Sequence, residues 1–132
     1  MKILRRIGFK VAANTMLVFL SCVAVFHVLI LTGAVPYSIV WGGRLENASQ
    51  MYAFETVSLT INMAIIFIIG MKARYIRPFL SAWIVGAVLW TMVVLLLLNT
   101  VGNVLSLSTL EAVLFTPLTL IGAALCARIA IE

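Results

Sequence analysis

The chain is short of nearly every residue type on which catalysis usually rests. Of 132 residues one is histidine, two are cysteine and three are proline, and only 10% carry a charge. A single histidine, His27, excludes a haem held by two histidines of one chain. The cysteines, Cys22 and Cys126, form no C-x-x-C, which counts against a thiol oxidoreductase. Their expected depths in a membrane differ by about 10 Å on the helical rise, too far for a disulfide. No lysine falls inside an apolar run, so a retinal Schiff base is excluded, and the chain has neither a glycine-rich phosphate loop nor a G-x-S-x-G turn. A metal on His27, Glu55 and Glu111 would have acceptable ligand types, but the i, i+4 ligand spacing is missing, so no metal and no cofactor are expected.

What is present is apolar. Hydrophobic residues make up 64% of the chain and the mean hydropathy is +1.22. Soluble domains carry about 25% charged residues, and a domain this small leaves much of its surface exposed. The solvent must therefore be lipid. Four runs reach the roughly 20 residues that a membrane helix needs, at about 12–33, 51–71, 79–99 and 108–130. Strict alternation is absent, which argues against a barrel. The expected fold is all-α, a single integral membrane domain over residues 1–132 built as an antiparallel four-helix bundle.

Basic residues set the direction. Lys2, Arg5, Arg6 and Lys10 precede the first run, Lys72, Arg74 and Arg77 follow the second, and Arg128 ends the fourth. Arg44 stands alone on the other side. This asymmetry places both termini in the cytoplasm and the 34–50 loop outside. The net charge of +5 thus reflects topology, and nucleic acid is not an expected partner. A cleaved signal peptide is the rival reading of the N-terminus, but its apolar run is long and no A-x-A site follows.

Local signals punctuate the helices. Ser108-Thr109-Leu110-Glu111 reads as a capping box, with Glu111 reaching back to the Ser108 amide. Arg77-Pro78 opens the third span, and Pro117 should kink the fourth, freeing the Val113 carbonyl for Thr116. Trp83, Gly86 and Trp90 read as a packing stripe, and the pairs Ala82/Gly86 and Gly122/Cys126 as points of close helix approach. Asn47-Ala48-Ser49 matches a glycosylation sequon.

The polar residues gather at one depth. On a rise of about 1.5 Å per residue, His27, Glu55 and Glu111 lie about 9, 6 and 5 Å inside the outer ends of three different helices. Asn99 and Asn103 flank the same level, and the loop containing Trp41-Gly42-Gly43-Arg44 lies above it. Charge in lipid costs about 2.5–3.5 kcal/mol at mid-helix, so these groups should face one another. Arg44 is the expected counter-charge for Glu55 or Glu111, and Gly42-Gly43 lets the loop fold tightly over the helix ends. Tyr37, Trp41 and Tyr52 suit the interfacial aromatic belt. Glu55, Ser58 and Asn62 share one face of the second helix and either line a cavity or bond to neighbouring helices.

The segments WGGRL at 41–45, LNTVGN at 98–103 and FTPLT at 115–119 resemble those of small four-span proteins of bacterial inner membranes. That resemblance implies a compartment and a topology but no activity. By hydropathy alone the layout also looks like DoxX-like bundles, a likeness of fold and not of function.

Three functions fit. The first is non-enzymatic binding or transport of a small or lipid-like ligand, or a proton, at an outward pocket of His27, Glu55, Arg44 and Glu111, with Trp41, Asn62, Asn99 and Asn103 around it. His27 is then the proton acceptor, Glu55 the coupled carboxylate and Arg44 an anion anchor. The second is a membrane-embedded enzyme acting on a lipid or isoprenoid through His27 and Glu55 as acid and base. The third is an accessory or assembly subunit of a larger membrane complex, the polar cluster locking helix register. The bundle is expected to assemble as a homodimer or within a larger membrane complex.

Overall fold

A computed structural model describes residues 1–132 as an all-helical chain with no strand. The four long helices are α1 (Phe9–Leu31), α2 (Ala48–Lys72), α3 (Ala82–Val104) and α4 (Thr116–Ala130), the last preceded by a π-helical turn, Glu111–Phe115. All four, α4 counted with its π turn, are long and apolar enough to cross a membrane. Large apolar side chains cover the outside, among them Val18, Val25, Ile61, Phe67, Val94, Leu98 and Leu120. A surface of this kind belongs in lipid, since a soluble monomer exposes only small apolar patches.

Successive helices run antiparallel. The Lys10 ammonium at the start of α1 donates to the Ala73 carbonyl just past α2, at 2.6 Å. Arg128 at the end of α4 donates to the Ile7 carbonyl at 2.7 Å. Both termini and the α2–α3 connector therefore share one end of the bundle, here the terminal end. The 32–47 and 105–110 segments form the other, the loop end. α1 lies between α2 and α4, α3 packs along α4, and α2 and α3 meet only weakly.

The half of the bundle towards the terminal end is a closed apolar core. Ala12, Ala13, Met16 and Leu20 of α1 meet Ile65 and Ile69 of α2, Leu89 and Val93 of α3, and Ala123 and Cys126 of α4. Small residues let the axes approach. A Cβ on Gly122 would come within 3.3 Å of the Phe19 ring, which would have to shift by a few tenths of an ångström, and Cys126 beside it donates to the Leu89 carbonyl at 3.5 Å. The Ala82/Gly86 pair plays no such part, because Gly86 faces open space. Trp83 and Trp90 are exposed, so that stripe faces outward and does not pack.

Helix boundaries depart from expectation where tertiary bonds decide them. α1 and α2 each start three residues before the expected bounds. α3 starts at Ala82 behind Ser81, leaving Pro78 and Phe79 in the connector, and runs on to Val104, so that Asn99 and Asn103 lie within the helix. The capping box at Ser108 does not form, because the Glu111 carboxylate is engaged by the facing loop. Pro117 is accommodated by the π turn instead of a bare carbonyl. The Thr116 amide and hydroxyl both reach Glu111 O, and proline then sits in the first turn of α4, where its missing N–H costs little. The Asn47 side chain caps α2 by accepting from the Gln50 amide at 2.9 Å, while the Gln50 side chain accepts from the Glu46 amide.

Candidate functional site

The site sits at the loop end, where α1 and α2 diverge. His27 on α1 and Glu55 on α2 are brought level by the antiparallel pairing. Their side chains meet at 2.5 Å, His27 Nδ1 to Glu55 Oε2. Glu55 is 1% exposed. Its other oxygen, Oε1, accepts a hydrogen bond from the Trp41 indole Nε1 at 2.6 Å. One buried carboxylate thus holds an imidazole from below and a loop from above, and both of its oxygens are satisfied.

Trp41 reaches Glu55 because the loop turns sharply. Trp41, Gly42 and Gly43 have φ of 54°, 71° and 69°, three left-handed residues in succession. The two glycines adopt this without penalty. Trp41 does so at a cost of roughly 1–2 kcal/mol, offset by its bond to Glu55 and by its ring packing on Phe54, 4.9 Å between centroids. Gly43 is also a close approach, since a Cβ there would lie 3.4 Å from the Ser38 carbonyl.

Glu111 holds the next residue of the same loop. Its Oε2 accepts from the Gly42 amide at 2.7 Å and from the Ser106 hydroxyl. The Ser106 oxygen accepts from the Ser108 amide at 2.9 Å, the Ser108 hydroxyl donates to the Ile39 carbonyl at 2.5 Å, and the Leu107 amide donates to the Gly42 carbonyl. The two loops are laced together through one carboxylate. Glu55 and Glu111 therefore do not share a ligand site. Each anchors the Trp41–Gly42 turn at a different atom, and no three of the histidine, cysteine and acidic side chains converge as a metal would require.

The other expected members divide. Arg44 is not a counter-charge. It is exposed, forms no ion pair, and its side chain folds against Gly42, because indole and amide donors have already taken both carboxylates. Asn62 is 5% exposed and donates to the Leu20 carbonyl at 2.9 Å, a bond between α2 and α1 that closes the polar stripe below Glu55. Asn103 is buried and reaches Thr119 Oγ1 at 3.4 Å, beside a Thr100–Thr119 pair at 2.8 Å, which joins α3 to α4. Asn99 is exposed and bonds nothing. Ser106, Phe54 and the Thr100–Thr119 pair were not legible beforehand.

Two features remain open. His27 Nε2 has no hydrogen-bond partner within the chain. No fully buried side-chain nitrogen or oxygen lacks a partner, so Nε2 reaches the surface, in keeping with the 17% exposure of the imidazole. The second feature is a cleft of 390 Å³ lined by Ile30, Gly33, Val35, Pro36, Tyr37, Ser38 and Met51. Ile30 lies three residues beyond His27 on α1, and Met51 four residues before Glu55 on α2. The cleft floor is thus one helical turn from the His27–Glu55 pair. The Tyr37 and Ser38 hydroxyls on its wall make no hydrogen bond within the chain.

No protein-family model, curated protein or solved structure matches the chain.

Proposed function

We propose that the protein binds an amphiphilic, lipid-like ligand at the cleft of the loop end, without chemical conversion. The observation that carries this reading is the His27–Glu55 pair, one turn below an apolar cleft, with Nε2 unpartnered. When Glu55 is ionised, Nδ1 carries the proton it donates. Nε2 is then a lone-pair acceptor on the neutral ring or a second donor on the imidazolium. The cleft walls suit an alkyl or isoprenoid chain, and the free Tyr37 and Ser38 hydroxyls suit a polar head. The packed core towards the terminal end supports binding from the loop side over passage of a proton or solute across the bundle.

Native mass spectrometry of protein purified in mild detergent tests the reading. Wild type should retain an amphiphile that is lost both in Ser38→Trp, which fills the cleft mouth, and in His27→Ala. An unoccupied wild type, or a retained species indifferent to both changes, refutes it. The same carboxylate-oriented imidazole is an acid–base pair, so an enzyme acting on a lipid is the second reading. Conversion of a lipid extract that stops in His27→Ala would select it.

The eight basic residues gathered at the terminal end support a cytoplasmic placement of both termini, and the resemblance to bacterial inner-membrane proteins supports that compartment. In a Cys22→Ala background, Glu46→Cys should react with a membrane-impermeant maleimide on intact cells. Reaction only after permeabilisation would invert the topology.

A further inference from the structure

We infer that the terminal end is a binding surface for the anionic headgroups of phospholipids. The inference stands apart from the proposed ligand site at the opposite end. Of the eight basic residues there, two are consumed internally. Lys10 is held by the Ala73 carbonyl and lies 4.1 Å from the centre of the Tyr75 ring. Arg128 is buried, bonded to Ile7 and paired with Glu132 at 3.0 Å. These contacts tie the N-terminal segment, the α2–α3 connector and the C-terminus into one face. Lys2, Arg5, Arg6, Lys72, Arg74 and Arg77 are left on it with neither an ion pair nor a side-chain hydrogen bond. The one acidic residue there, Glu132, already has Arg128.

The backbone places these cations deliberately. Residues Leu4–Arg6 form a single 3₁₀ turn. Leu4 and Ile7 pack on the core, so Arg5 and Arg6 point outward. Arg74 closes α2 in a left-handed conformation, φ 59°, with its amide on Met71 O and the Tyr75 amide on Gly70 O. That is the Schellman position, where glycine is the unstrained choice. An arginine held there against its backbone preference, exposed and without a partner in the chain, points to an acceptor outside the chain. Phe79 in the α2–α3 connector and Trp83 in the first turn of α3, each 75% accessible, lie at the same end of the bundle and suit the headgroup–acyl boundary. Phosphodiester oxygens supply the bidentate acceptor that guanidinium groups match.

Thermal unfolding in nanodiscs reads this directly. Wild type should melt higher in phosphatidylglycerol than in phosphatidylcholine, and the difference should shrink in high salt. It should be lost in Arg5→Gln/Arg6→Gln/Arg74→Gln/Arg77→Gln and kept in Arg44→Gln, which alters the opposite end. Arg74→Gly separates strain from binding should the fourfold variant fail to fold. It should melt higher than wild type in phosphatidylcholine, yet gain less from phosphatidylglycerol. Equal melting of wild type in both lipids, or a full phosphatidylglycerol gain in Arg74→Gly, overturns the inference. So does an equal gain from inorganic phosphate added to phosphatidylcholine nanodiscs, which would mark a soluble-anion site.

Discussion

Glu55→Ala should destabilise the protein by about 2–6 kcal/mol, because two donors that now meet a buried carboxylate lose their acceptor at about 1–3 kcal/mol each. The substitution removes the acceptors of two donors at once. The Trp41 indole can only donate, and it is aimed at a position from which no other oxygen is offered. The His27 ring loses the group that sets its orientation. Trp41 would then hold its left-handed backbone with only its packing on Phe54 to offset the strain. Glu55→Gln should cost less, about 1–2 kcal/mol, because one amide oxygen still receives the indole. Trp41→Phe keeps the packing on Phe54 and deletes only the N–H. Pairing it with Glu55→Ala in a double-mutant cycle should give losses smaller than additive, since both remove the indole–carboxylate bond. Melting temperatures in detergent and in nanodiscs check this, and a Glu55→Ala protein as stable as wild type would dismiss the carboxylate as the organising group.

The second large effect is expected at Glu111. Glu111→Ala should raise hydrogen exchange by about a hundredfold in residues 38–44 and 105–109, equivalent to about 2.8 kcal/mol at a tenfold change per 1.4 kcal/mol. The reason is connectivity. This carboxylate receives the Gly42 amide and the Ser106 hydroxyl, and Ser106 in turn receives the Ser108 amide. Its loss leaves the two loops joined only by the Leu107–Gly42 backbone bond and the Ser108–Ile39 bond. Exchange in the core of α1 and α4 should remain slow, because Met16, Leu20 and Cys126 lie deep in the apolar half. A uniform rise across the chain would mean that Glu111 supports the whole bundle and not the loop. An unchanged rate at Gly42 would mean that its bond to Glu111 contributes nothing.

The sequence by itself determined how many helices there are, roughly where they lie and which end collects the basic residues. These follow from hydropathy, from the length needed to cross lipid and from the cost of burying charge. It also determined that His27 and Glu55 sit at one depth, since depth along a helix is a count of residues at a constant rise. Partner choice was beyond it. Coulomb attraction alone pairs Arg44 with Glu55, but three left-handed residues turn the loop so that an indole and an amide arrive first, leaving Arg44 outside. Asn99 and Asn103 share a depth range but not a direction. Leu89, Leu96 and Asn103 repeat every seven residues along the buried face of α3, and Asn99 falls off that face. Glu111 reads as a local cap, yet one of its two donors comes from a loop 69 residues away. Rise along an axis is local geometry, whereas rotation about the axis and the path of a loop are settled only when helices pack and every buried polar atom must find a partner.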